Sequence, residues 1–585
     1  MSVRRPATAA VVLAALLSPT RGRADDTKAF IKETLRQAAV AAEAIDDSKD
    51  ADKANVWRKA YALGLVASLQ ARSGDRESAL ATVRRMDEVL QHWDNGTVYQ
   101  STMVRIDLGD FEGALKAAYG MAHPQPQLQM VERIGLAMIK QGRKEQAKKV
   151  FLDGLGVAKS GVVPPSDKTT NAQERDRLKK IYVMWMARGL ARAGDAAGAL
   201  EATDLLAPEG DGELPYRLRT DLLLRLADTF NKVGDEAGGL AALAKVVESQ
   251  RVYETKFPGK GGGGYAVKAL AELQAEFGRV DESLATVARV DGEGNRAAVL
   301  EEIVSDLVKR DDLEGSLRAA GLNPFPAAKL RALGVVAAAL RKRGDRAQSA
   351  TLRGEAEALV ADLKSDRAAT LRALASWQLA DGERADAVRT AESIEAPVLK
   401  VEALREIATA DLDAGNKPAA VDVLSRAVEA AGEIEGNTAK VTALTEVAAA
   451  TFKAGDGRAA GEAMASALKE AATIKKPDKR CEAYQAVMAA QYDAGLRDDA
   501  RASAGLAGEA ALAITSKDLP SHFFPAASFA SQVAEAQARK GDEAAARDWA
   551  AAVKTPLERS YALMGAALGV GRRLDPKAYE LGDDD

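Results

Sequence analysis

Val441-Thr-Ala-Leu444-Thr-Glu-Val447-Ala448-Ala-Ala-Thr-Phe452-Lys453-Ala-Gly455-Asp456 is the stretch whose reading decides the fold. Its apolar residues return every three or four positions, which places them on one face of a helix. The period stops at Gly455-Asp456. A second run then carries Ala460, Ala463, Met464, Ala467, Leu468, Ala471 and Ile474 at the offsets of another amphipathic helix. Glycine adopts without strain the left-handed conformation in which helices commonly end, and the aspartate after it can cap the next helix. The stretch therefore reads as a helical hairpin, with Ala460 small because the two helices meet closely beside the turn.

The rest of the chain repeats this unit. Glycine turns fall at Gly74, Gly109, Gly142, Gly194, Gly234, Gly278, Gly344, Gly382, Gly415, Gly455, Gly495 and Gly541, with one further turn placed at Arg310, where glycine is missing. Five residues after each turn stands a small residue, from Ala79 and Ala114 through Gly239, Ser283 and Gly315 to Ala500 and Ala546. Seven before the turn the residue is Ala or Gly, except at Thr102, Ile303 and Met488. Small residues in step with the turn on both helices let each pair cross tightly. Each hairpin's remaining apolar flank must then be covered by its neighbour, since no single hairpin buries a core alone. The expected fold is all-α, an α-solenoid of about thirteen helix-turn-helix hairpins over residues 51–575.

The pattern resembles the tetratricopeptide repeat. In that family the first helix ends in Gly-Asp and the second carries an alanine five residues after the glycine, as in Gly74-Asp75 with Ala79, Gly194-Asp195 with Ala199, Gly455-Asp456 with Ala460 and Gly541-Asp542 with Ala546. The resemblance spans residues 51–575 and implies a right-handed superhelix that binds along the surface lined by each hairpin's first helix. The chain departs from the family in spacing, its turns lying 32 to 52 residues apart where the repeat keeps 34. It also mostly lacks the family's bulky aromatics and closing proline, which points to a divergent array.

Composition agrees with helices. Hydrophobic residues make up 47% of the 585, charged residues 28% and aromatics 5%, and small side chains suit close helix packing better than sheets. At the N-terminus, Arg4-Arg5, the apolar run Ala7 to Leu17 and Gly22-Arg23-Ala24 fit a secretory signal, with cleavage expected after Ala24. The run is shorter than the ~20 residues of a spanning helix. Residues 1–24 are thus read as a signal and 25–50 as a capping helix with Phe30, Ile31, Leu35, Ala38 and Ala42 on one face. Residues 576–585 are read as a disordered acidic tail ending in Asp583-Asp584-Asp585. The expected location is periplasmic or extracellular, in a bacterial envelope, with no integral membrane segment once the signal is removed. Removal takes the net charge from −4 to −8, because Arg4, Arg5, Arg21 and Arg23 leave and no acid does. That balance argues against a nucleic-acid partner, which would require a basic face. Cys481 is the single cysteine, so no intramolecular disulfide can form, and it reads as a small buried hydrophobe.

No catalytic, metal or cofactor motif stands above this background. Gly259-Lys-Gly261-Gly-Gly-Gly264 has the form G-x-G-x-x-G, yet a dinucleotide site needs a strand before it, and here the loop separates two helical hairpins. His92, His123 and His522 are far apart, with no ligand-spaced pair and no nucleophile partner. Phe523 and Phe524, flanked by prolines, read as an exposed apolar contact for a partner. Turn-rich insertions at 161–170, 208–215, 257–264 and 519–525 loop out between hairpins.

The resemblance also supplies candidate groove residues. The family's positions six and two before the turn correspond here to Arg188 and Arg192, Asp228 and Lys232, and Glu272 and Glu276, with Lys268 ten before the turn. The plain alternative is a solvated helix face. The lysine and asparagine pairing with which some members clamp a peptide carboxylate is missing, the corresponding pairs being Gly64/Ser68, Lys268/Glu272 and Arg405/Thr409. The expected function is an exported, non-enzymatic scaffold or adaptor that holds a protein or peptide partner in this groove without a cofactor. One alternative is a helical-toroid enzyme acting on a glycan with two carboxylates ~5–9.5 Å apart. Another is a structural protein that self-associates through its ends.

Overall fold

The computed structural model describes every residue except 1–8, 47–52, 91–95, 122–123, 161–171, 207–212, 258–263, 362–366, 520–523 and 580–585. The described residues form twenty-eight α-helices and one 3-10 turn, with no strand among them. The described residues form an all-α array of helical hairpins. Its template stretch forms the helices Asn437–Ala454 and Gly457–Ala472 about Gly455, whose φ is 103°. Asp456 caps the second helix, its Oδ1 accepting from the Ala459 N–H at 2.9 Å.

The turns share one closure. The turn glycines have positive φ, and in most turns the residue after the glycine donates its N–H to the carbonyl five residues back, as Asp75 does to Gln70 at 2.9 Å and Asp456 to Thr451 at 3.2 Å. This satisfies carbonyls that a helix end would otherwise leave unpaired. The turn without glycine lies one residue later than its sequence suggests. Arg310 ends its helix with φ −87°, Asp311 takes the left-handed place at φ 65°, and Asp312 caps the next helix through the Gly315 N–H. Aspartate tolerates that conformation better than arginine. The close-packed small residue of this hairpin is therefore the fully buried Ser316, not Gly315, and its counterpart on the first helix is Val304, not Ile303.

The small residues in step with the turns are buried throughout. Two of these sites show why size matters. A Cβ on Gly239 would lie 2.1 Å from the ring of Phe277, and one on Gly135 would lie 2.3 Å from the ring of Phe151.

A buried polar pair keeps the same step and was not read from the sequence. Four residues before the turn stand Gln70, Gln274, Gln378 and Gln491, and eight after it stand Thr82, Thr286, Thr390 and Ser503. Each hydroxyl donates to the glutamine Oε1 of its hairpin, at 2.8, 2.7, 2.7 and 2.7 Å respectively. The pair holds the register of the two helices away from water. Ser503→Ala should cost ~1–3 kcal/mol, because Gln491 Oε1 would stay buried without its donor. Urea unfolding would measure it, and an unchanged midpoint would show that water reaches the site.

Contacts divide the chain into two compact units, 118–414 and 1–117 with 415–585. In the 118–414 unit the first helices of successive hairpins lie side by side, from Pro124–Lys140 to Pro397–Asp413. In the other unit the two ends of the chain meet. One helix runs from Ala9 to Glu43 and packs both on Lys53–Arg72 and on the last helix, Pro556–Leu574. Ser560 Oγ donates to the Ala38 carbonyl at 3.0 Å, and Ile31, Leu35 and Ala42 share one apolar cluster with Ala534, Leu563 and Ala567. The expected capping helix thus covers the first hairpin and the last helix at once. The last helix is buried at every position from Ser560 to Gly571, as a helix must be when apolar side chains surround it. Self-association through free ends has no support here, because the first and last helices cover each other.

The C-terminal tail begins later than expected. Tyr579 is buried, with its ring against Gly571 and its carbonyl accepting from Arg572 Nε at 3.2 Å. Residues 576–578 are exposed and Tyr579 packs back on the last helix, while 580–585 lie outside the described residues. Among the described residues no helix is long and apolar enough to cross a membrane.

Candidate functional site

The seven groove positions sit on the helices Ala172–Ala193, Glu213–Val233 and Gly264–Glu276, which pack side by side, and Glu293–Lys309 continues the row. Helical spacing sets Trp185, Arg188 and Arg192 on one face of the first helix, Asp221, Arg225, Asp228 and Lys232 on one face of the second, and Tyr265, Glu272 and Glu276 on one face of the third. Lys232 is exposed and the other six candidates are half-buried. Pairs along single helices hold part of the charge, with Lys232 Nζ 3.1 Å from Asp228, Arg225 Nε 2.9 Å from Asp221 and Lys268 Nζ 3.8 Å from Glu272. Between helices, Asn231 Nδ2 donates to Glu276 Oε2 at 2.6 Å.

The charges are sorted rather than mixed. Arg188, Arg192 and Arg225 gather at one end, where burial and then the two neighbouring guanidinium groups pull the Arg188 pKa down against the opposing charges of Glu132 and Asp228. At the other end, burial first and then Glu302, Glu276 and Asp306 push the Glu272 carboxyl up, against the attraction of Lys268. Burial, Asp306 and Asp228 push Glu276 up in the same way, against the Asn231 hydrogen bond and Arg310. The positions named from sequence thus form one strip, basic toward Ala172–Ala193 and acidic toward Glu293–Lys309.

Trp185, Arg225, Asp221 and Tyr265 extend the strip and were missed, although the same register, nine and thirteen residues before the turn, would have found them. Farther along the unit the first helices use such positions on each other. Arg331 Nη2 lies 2.7 Å from Glu301, Arg372 Nε 2.8 Å from Glu402, and Ser376 Oγ donates to Glu406 at 2.7 Å.

Phe524 is not an exposed contact. It is half-buried, with its ring centre 5.2 Å from Trp57, 5.8 Å from Tyr61 and 6.1 Å from Tyr561. The two ends of the chain meet there, and no local pattern announces that. A cleft of about 510 Å³ lies beside it, with Ile45, Asn55, Arg58, Thr555 and Glu558 among its lining residues. Phe523, His92, His123 and His522 lie outside the described residues, as do 258–263 of the glycine loop and most of the other insertions. The element before the glycine loop is the helix Glu236–Lys256, so the strand of a dinucleotide site is not there. Cys481 is fully buried, and burial pushes its thiol up to about 11. Among the described residues no three His, Cys, Asp or Glu side chains gather as metal ligands would.

No family model matches the chain, and no curated protein matches it. Among solved structures it is similar to Ton1535 from Thermococcus onnurineus NA1, at 14% identity over 71% of this chain and 98% of that one, with a TM-score of 0.21. It is also similar to yeast Tom70, at 13% identity over 84% of this chain and 98% of that one, with a TM-score of 0.26. A third likeness is to the APC/C hetero-tetramer Cut9-Hcn1, at 14% identity over 96% of this chain and 98% of that one, with a TM-score of 0.20.

Proposed function

We propose that this protein is an exported, non-enzymatic scaffold that holds an extended segment of a partner protein on the charged strip from Arg188 to Asp306. The supporting observation is the crowding of like charges. Glu272 and Glu276 are partly desolvated, and each is pushed up further by neighbouring carboxylates, although Lys268 lies beside the first and Lys309 pairs with Asp306 at 2.7 Å; such crowding costs stability. Perturbed groups cluster at functional sites. A partner that brings basic side chains to the acidic end and acidic ones to the arginine end relieves both, and the polarity of the strip sets the direction in which it lies. Export rests on Arg4-Arg5, the run Ala7 to Leu17 and the small residues before Asp25.

The test is cross-linking mass spectrometry of the protein in its own envelope extract, beside the double variant Glu272→Gln/Glu276→Gln. Cross-links from one partner should cluster on the four helices of the strip and disappear in the variant. Cross-links confined to this chain, or a partner retained by the variant, would end the reading.

The same variant carries a stability prediction. Both carboxyls have raised pKa values when folded, so the folded state holds their protons more tightly than the unfolded chain does, and stability falls as pH rises through the ordinary glutamate value of 4.5 and above. The variant should melt higher than the parent at neutral pH, and the difference should shrink as pH falls below that window. Parallel melting curves across pH would show that the crowding is not felt.

A further inference from the structure

The hairpin Pro525–Arg539 with Glu543–Ala552 carries the glutamine of those four hairpins without the hydroxyl that answers it. Gln537 stands four residues before Gly541, where Gln70, Gln274, Gln378 and Gln491 stand before their own turns, but the residue eight after the turn is Trp549, which has no hydroxyl to give. Gln537 Nε2 donates to Tyr492 Oη at 3.0 Å, and the hydroxyl donates its own hydrogen to Asp542 Oδ2 at 2.8 Å. A tyrosine has one hydrogen, so the amide could not be turned over without facing oxygen to oxygen. The group left over is therefore Oε1, which is buried without a partner in a residue only 2% exposed.

Gln537 lines a cleft of about 430 Å³, together with Trp549, Asp548, Arg501 and walls of alanine and glycine. The walls leave the space open, since a Cβ on Gly505 would meet nothing within 4 Å. Trp549 is held by its packing over Gly508, where a Cβ would lie 2.2 Å from the indole. Arg501 brings a positive charge, and three of its five N–H groups are taken up by carboxylates. Nε and Nη2 bind Asp542 at 2.7 and 3.0 Å, and Nη1 reaches Asp498 at 3.4 Å. The Asp548 carboxylate is largely exposed, its nearest cation being Arg547 at 3.7 Å. Besides Arg501, the cleft offers an incoming group a carboxylate and an indole ring, and the amide of Gln537 with its unpaired oxygen stands in its wall.

We propose that this cleft receives an arginine side chain of a partner protein. A guanidinium is a planar cation with several N–H donors, able to lie against an indole while it donates to an amide oxygen and a carboxylate. It would make at Gln537 the bond that Thr82, Thr286, Thr390 or Ser503 makes in the other hairpins. A buried acceptor without a donor is costly, so the site favours any ligand that supplies one.

The experiment is a titration of the full chain with N-acetylarginine methylamide, followed by calorimetry and by the indole resonance of Trp549, with the neutral citrulline analogue alongside. The arginine probe should bind saturably, and the citrulline probe about tenfold more weakly, for want of charge on the indole and the carboxylate. Gly505→Leu fills the open space from a helical position without touching the polar network, and should abolish binding at an unchanged melting temperature. Trp549→Thr, which returns the missing hydroxyl to Gln537, should abolish it as well. No saturable binding, equal binding of the two probes, or binding that survives Gly505→Leu would each overturn the proposal. The first result is the one expected if water alone satisfies Gln537.

Discussion

Gly565→Val is expected to separate the last helix from the hairpin it closes on. A Cβ at Gly565 would stand 2.0 Å from the Ser531 carbonyl oxygen, and one at Gly569, a turn later, would stand 2.4 Å from that of Glu535. These are backbone atoms of the neighbouring helix, so no rotamer change can make room and one helix must move bodily. Overpacking of a core commonly costs ~1–3 kcal/mol, and a clash against backbone belongs at or above the top of that range. The loss should not stay local. Pro556–Leu574 also carries the N-terminal helix against it, through Ser560 and Ala38, so amide exchange in residues 31–45 should speed up together with exchange in 556–574. Urea unfolding gives the energy and exchange gives its reach. A valine variant with parental stability would mean that the two backbones lie farther apart than 2.0 Å implies.

Phe151→Ala should cost ~3–5 kcal/mol, the range for removing a buried aromatic side chain. The ring is fully buried and wedged between two helices at glycines, with a Cβ on Gly135 or on Gly189 falling 2.3 Å from it. Two glycines facing one ring leave no neighbouring side chain able to lean into the void, so the cavity should persist. The pairing gives a check that a simple loss of stability would not. Gly189→Ala alone should destabilise by driving a methyl into the ring, whereas in the Phe151→Ala background the same methyl enters empty space and removes a glycine from a helix interior. The sign of the glycine substitution should therefore reverse, and a double-mutant cycle measures it. Equal effects of Gly189→Ala in both backgrounds would show that ring and glycine do not touch.

Much of the candidate strip was legible because it is periodic. Once the turn is located, counting back six and two residues reaches Arg188 and Arg192, Asp228 and Lys232, Glu272 and Glu276, and the structure sets these on adjacent helices. The sorting of charge into a basic and an acidic end was not legible, since it depends on which helices lie beside one another. The slip from Arg310 to Asp311 went unseen because glycine is the marker of the left-handed turn, and without it two neighbouring residues compete for the place. The glutamine and hydroxyl pairs went unseen because neither residue type ordinarily reads as core. Their step with the turn was present in the sequence all the same, and it is what makes the orphaned oxygen of Gln537 stand out.

The sequence by itself determined the hairpins, their turns, the small residues at each crossing and the burial of Cys481. All of these follow from helical period and local turn chemistry, which act over a few residues. Only the tertiary structure decided that Phe524 packs on Trp57 and Tyr61, that Ala38 meets Ser560, and that Tyr579 closes over Gly571. The first two contacts join residues from opposite ends of the chain, and where those ends arrive depends on the small rotations between all the helices that precede them. The third turns on the missing side chain of Gly571, whose meaning appears only when a ring is found in its place.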